Sequence, residues 1–134
     1  CYRSPRKEAR ILDLVRGDKR FMQGFSMDDS AGNNVRIIDV IRGKRLDIIV
    51  HNIQADHKTY FHEFLPEILD KFIDACEGIA FLHKHGEKHG DIRRDHLWVD
   101  SKTKQYRWID FDYTFDFYEN PFGLDIFGLG ALLL

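Results

Sequence analysis

The chain has 134 residues, 43% hydrophobic and 31% charged, the make-up of an ordinary folded domain and not of a disordered segment. Twenty Lys and Arg against 22 Asp and Glu give a formal net charge of −2, which argues against a general nucleic-acid binder and against a polybasic membrane surface. Cys1 and Cys76, the only cysteines, offer no zinc spacing and no disulfide framework, and they fit a reducing, cytoplasmic setting.

From Pro5 to Val15 the pattern predicts a helix, with Ser4 as cap, Pro5 in the first turn and an apolar stripe of Ala9, Ile11, Leu12, Leu14 and Val15. Gly17 ends it. Gly24 to Asn34 is rich in Gly, Ser, Asp and Asn and reads as a loop. Val35–Ile41 and Leu46–Ile53 are β-branched runs around Arg42-Gly43-Lys44, which predicts a hairpin. Lys58 to Leu65 reads as a short helix. Pro66 then opens a strong one, with Ile68, Leu69, Phe72, Ile73, Cys76, Ile79, Ala80 and Leu82 at three- and four-residue steps, and Gly86 marks its end. A polar, His-rich turn follows. Leu97–Val99 and Tyr106–Ile109 read as two short strands joined by a turn at Ser101–Lys104, and after Asp125 the chain enters another apolar helix. No apolar run reaches the roughly 18 residues of a membrane span, Phe127–Leu134 being too short, and no signal-peptide pattern opens the chain. The start at Cys1 and the stop inside an apolar segment read as a piece of a longer protein. The expected class is α+β.

The chemistry concentrates between His83 and Asp112. A tight hairpin of the two short strands brings the loop before one close to the loop after the other, so Asp91, His96 and Asp110 are expected to face one cleft. Two carboxylates beside an Arg suit a metal-bound polyphosphate. One can hold Mg²⁺, which prefers oxygen ligands. The other can orient a hydroxyl and accept its proton, while Arg93 offsets charge on a moving phosphoryl group. His83, His85, His89 and His96 match no established zinc signature. Phe111, Phe115, Phe117 and Phe122 suit packing or a partner surface equally.

The ordered set resembles the protein-kinase-like superfamily. His89-Gly90-Asp91 through His96 is similar to its catalytic loop, Asp110-Phe111-Asp112 to its metal motif, and Asp125–Gly130 to the start of the central helix of its larger lobe, where an Asp supports the catalytic loop. The resemblance implies a partial kinase-like fold: residues 1–53 as the end of the small lobe and 54–134 as part of the large lobe. It implies ATP and Mg²⁺ as cofactors and a hydroxyl-bearing acceptor, protein or small molecule. It assigns Asp91 as the base, Arg93 to the phosphoryl group, and Asp110 with His96 to the metal. Glu8 becomes the partner of a strand Lys, and the backbone around Val50, His51 and Ile53 receives the adenine. A serine/threonine protein kinase is the leading expectation, a small-molecule or lipopolysaccharide sugar kinase the alternative, and an inactive pseudokinase scaffold the rival. The departures are Gly90 where the family has Arg, His96 where it has Asn, Asp112 where it has Gly, and only 15 positions from Asp110 to Asp125.

Overall fold

The computed structural model describes residues 2–114 and 119–133. Helix α1 spans Pro5–Leu14, and its cap is as expected: the Lys7 amide donates to Ser4 Oγ at 3.2 Å. It buries Ile11 and Leu12, and also the charged Lys7 and Glu8, each only 3% exposed. Ahead of it, β1 (Tyr2–Arg3) pairs antiparallel with β7 (Tyr113–Thr114).

The expected loop at Gly24–Asn34 is in part a strand. β2 (Gly24–Asp28) pairs antiparallel with β3 (Asn34–Ile38), Gly24 opposite Ile38. The turn shrinks to the residues between them, where Asp29 Oδ1 accepts the Ala31 and Asn33 amides at 2.9 and 2.8 Å. Phe25 and Met27 alternate with small and polar residues, a period of two that the turn-like composition masks.

The expected hairpin of Val35–Ile41 with Leu46–Ile53 does not form. Leu46–His51 is helix α2. Leu46, Ile49 and Val50 are half-buried while Ile48 is exposed, a helical spacing that overrides the β preference of the branched residues. Between β3 and α2 lies β4 (Gly43–Arg45), which pairs not with β3 but with β5 (Leu97–Asp100). With β6 (Tyr106–Trp108) these form a three-stranded antiparallel sheet in the order β4-β5-β6. The chain therefore crosses from the β2–β3 ribbon to this sheet at residues 39–42.

α3 (His57–Thr59) runs through a π turn (Tyr60–Phe64) into α4 (Leu65–Lys84). Pro66 has no N–H to offer the preceding turn, which widens. Phe72, Ala75, Gly78, Ile79 and Leu82 of α4 face the core. Gly86, at φ +76°, ends the helix. The fully buried Trp108 ties sheet to helix, its indole donating to the Ala75 carbonyl at 2.9 Å, and Phe21 meets Phe111 edge-on at 6.1 Å. α5 covers Gly123–Ala131, so Asp125 falls within its first turn. The fold is α+β with small antiparallel sheets. No helix among the described residues is long and apolar enough to cross a membrane. Of the Phe-rich stretch, Phe115 and Phe117 lie outside the described residues, Phe111 is core, and Phe122 stacks on His83 at 4.4 Å.

A Cβ built at Gly43 would lie 1.9 Å from the Val99 carbonyl oxygen. Gly43→Ala is therefore expected to destabilise the chain by about 1–3 kcal/mol by prising β4 from β5. Urea unfolding of the two forms measures this, and equal midpoints would contradict the β4–β5 register.

Candidate active site

The loop after α4 is held from below by one carboxylate. Asp125 Oδ2 accepts the His89 amide at 2.7 Å and His83 Nε2 at 2.9 Å, and Oδ1 accepts the Gly90 amide at 2.9 Å. Burial pushes the Asp125 carboxyl up, but the hydrogen bonds from His83, Gly90 and His89 outweigh it and hold the group below the usual carboxylate range. This is the supporting role expected of Asp125.

His89 is completely buried. Its Nδ1 accepts the Asp91 amide at 3.1 Å, and its Nε2 lies 2.7 Å from the Ile109 carbonyl. An amide can only donate and a carbonyl can only accept, so His89 is the neutral imidazole with its proton on Nε2. Burial agrees, pushing its pKa down to about 4. One ring thus joins the loop before β5 to the end of β6.

The 3₁₀ turn Arg94–His96 aims His96 inward. Its Nδ1 donates to the Asp91 carbonyl at 2.8 Å, and its other ring nitrogen is Nε2. That nitrogen stands 3.5 Å from Asp110 Oδ2, and Nδ1 stands 3.5 Å from Asp91 Oδ2. Asp91, His96 and Asp110 are therefore adjacent, as the hairpin argument anticipated. The Asp91 and Asp110 side chains remain 22% and 35% exposed while His96 is at 8%. Asp110 sits at φ +54°, a left-handed backbone that Asp tolerates and that costs about 1–3 kcal/mol where it must be held.

The other expected site residues lie elsewhere. Arg93 points at its neighbour Asp95, with bonds of 3.1 and 3.2 Å, and is 59% exposed. Glu8 is an ion-pair partner, but of Arg36 on β3, which reaches both its oxygens at 2.7 Å. Val50 and His51 end α2 and line a cavity of about 880 Å³ between α2 and α4; Ile53 follows α2. The cavity that includes Asp110 is another one, of about 280 Å³, walled by Met22, Arg36, Ile38, Ile41, Trp98 and Ile109. The expected adenine position rested on the strand that is in fact α2, and the segment facing Asp110 is the crossing after β3.

Sequence reasoning missed three participants. Arg36 had no local signal, since an Arg inside a β-branched run reads as a solvent-facing residue. Arg3 pairs with Asp112 at 3.2 Å while the Ser4 amide donates to the Asp112 carbonyl at 2.7 Å, so Asp112 anchors the start of the chain. Lys7 is buried, with its ammonium on the carbonyls of His89 and Tyr113. Gly90 follows from this. A Cβ there would lie 2.5 Å from the Tyr113 oxygen and 3.0 Å from Lys7 Nζ, and its φ is +92°.

No family model matches the chain. It is 27% identical over 90 residues to the cell division control protein 2 homolog D of Antirrhinum majus, a stretch covering 57% of this chain and 29% of that protein. The chain thus spans less than a third of that relative, and this partial similarity points to the kinase-like superfamily, as the ordered motifs do.

His89 makes the site acid-sensitive. Its folded pKa of about 4 lies below the ordinary 6.5, so the unfolded chain binds the proton more tightly between these values. The stability it contributes is complete above about pH 6.5 and is lost as pH falls towards 4. Urea midpoints across that window are expected to fall for the natural chain and to flatten in His89→Gln; equal slopes would refute the neutral assignment. Asp125→Ala, which strands three donors, is expected to cost about 3 kcal/mol in the same assay at neutral pH.

Proposed function

We propose that this chain forms the catalytic centre of an ATP-dependent phosphotransferase that moves the γ-phosphate of ATP to a hydroxyl, foremost a serine/threonine protein kinase, with a small-molecule or lipopolysaccharide sugar kinase as the alternative acceptor class. The observation that carries the reading is the Asp91–His96–Asp110 arrangement beside the cavity lined by Trp98. In it Asp91 is the base. Its carboxylate is partly open, and its loop is fixed through His89, His96 and Asp125. A base held in this way can orient a hydroxyl and take its proton.

Two side chains would hold a divalent cation only together with its phosphate ligands, since no group of three or more His, Cys, Asp or Glu placed to hold a metal ion occurs among the described residues. His96 Nε2, in the neutral ring, and Asp110 Oδ2 are 3.5 Å apart, close enough to ligate one ion, with further ligands from phosphate and water. Bound there, Mg²⁺ would neutralise charge on the polyphosphate. The imidazole ligand makes Mn²⁺ a strong competitor. The residues present also fit a planar base. Met22, Ile38, Ile41 and Trp98 supply apolar walls, and the Trp98 indole N–H is buried with no partner among the described residues. In this reading residues up to Ile38 belong to the small lobe and those from Gly43 to the large lobe, which moves the boundary back from Ile53.

A pseudokinase scaffold is the second reading, favoured by two ion pairs: Glu8 is already held by Arg36, and Arg93 by Asp95. One experiment separates the two. In the complete natural polypeptide carrying this chain, Mg²⁺-dependent ADP release is expected and Asp91→Asn is expected to lower it about a thousandfold with nucleotide binding nearly intact. Asp110→Asn keeps a residue type that tolerates positive φ and is expected to lose cation-dependent nucleotide binding while remaining folded. Nucleotide bound with no ADP released by the natural protein would establish the scaffold instead.

A further inference from the structure

We propose that Lys7 is a positioning residue: its ammonium clamps the His89 carbonyl of the Asp91 loop to the Tyr113 carbonyl of β7, and so transmits the placement of α1 to Asp91. Lys7 Nζ lies 2.8 Å from His89 O and also donates to Tyr113 O. These two carbonyls belong to segments on either side of the site, one before Asp91 and one after Asp110. Facing carbonyl oxygens repel unless a shared donor stands between them, and the lysine supplies it at the cost of burying a charge. Gly90 is the other half of the device. Its missing side chain leaves the room in which Nζ sits, as the 3.0 Å approach of a built Cβ shows.

The neighbouring Glu8 gives the clamp its reach. Glu8 grips Arg36, which walls the cavity containing Asp110, so adjacent residues of α1 bind the two sides of the cleft at once. A shift of β3 against α1 is then felt at His89, whose ring receives the Asp91 amide. Burial pushes Lys7 down to about 8, against the attraction of Asp125, Glu87 and Asp112 and with the repulsion of Lys88. A neutral amine keeps two N–H groups, so the clamp holds on both sides of that value.

The kinetic half of the test rests on the phosphotransferase reading; the exchange half does not. Lys7→Met keeps the apolar stem and removes the donors. In the complete natural polypeptide it is expected to lower kcat by about ten- to a hundredfold with KM for ATP within about twofold. Amide exchange at Asp91 is expected to quicken about tenfold, while Val99 and Trp108 in the β5–β6 sheet change by less than about twofold. An unchanged Asp91 amide, or equal acceleration throughout the chain, would overturn the proposal. If the natural protein shows no turnover, the phosphotransferase reading fails and exchange alone decides the clamp. Should Lys7→Met not fold, Gly90→Ala attacks the same contact from the other side, and unaltered Asp91 exchange there would overturn it equally.

Discussion

The Asp125 carboxylate is buried in the first turn of α5, and its charge is tolerable there only because it accepts hydrogen bonds from the amides of His89 and Gly90 and from His83 Nε2. Those amides begin the loop that carries Asp91. A backbone in a loop would otherwise exchange its hydrogen bonds with water and wander. Tied to a side chain of a helix that arrives more than 30 residues later, it becomes part of the core. The helix N-terminus adds to this, since its free amides favour a negative charge in the first turn.

From that anchor the order spreads through two imidazoles. His89 accepts from the Asp91 amide and donates to Ile109; His96 donates to the Asp91 carbonyl and turns Nε2 to Asp110. Asp91 thus has both its N–H and its C=O engaged by rings, while its carboxylate stays partly open beside His96 Nδ1. In the proposed reading of Asp91 as a base, this fixed backbone would set the reacting geometry before the acceptor arrives.

What the sequence revealed of this was its local part. α4 and the β5–β6 hairpin were legible because their periodicity and turn residues act within a few positions. Asp91, His96 and Asp110 were legible because a short hairpin brings its two ends together. β2 was hidden by Gly, Ser and Asp that also belong to turns, and α2 by β-branched residues whose preference yields to packing. The expected adenine position at Val50, His51 and Ile53 presupposed a strand where the chain forms α2. Lys7 and Arg36 gave no signal at all, since their partners lie 82 and 28 residues away and only the finished fold brings them together.

The charges around the cleft give the arrangement its direction. Arg3 is held by Asp112, Arg36 by Glu8 and Arg93 by Asp95. Among the described residues neither Asp91 nor Asp110 is paired with Lys or Arg, and the group between them is an imidazole that, when neutral, offers a lone pair and not a proton to Asp110. Asp91 and Asp110 stand on either side of one imidazole, each with a carboxylate oxygen 3.5 Å from a ring nitrogen. The nearby guanidinium groups are bound to other carboxylates, and Arg36 also attracts Asp110 across the cavity they share. In the proposed phosphotransferase reading, a cation arriving with phosphate oxygens as its remaining ligands would meet His96 and Asp110 here.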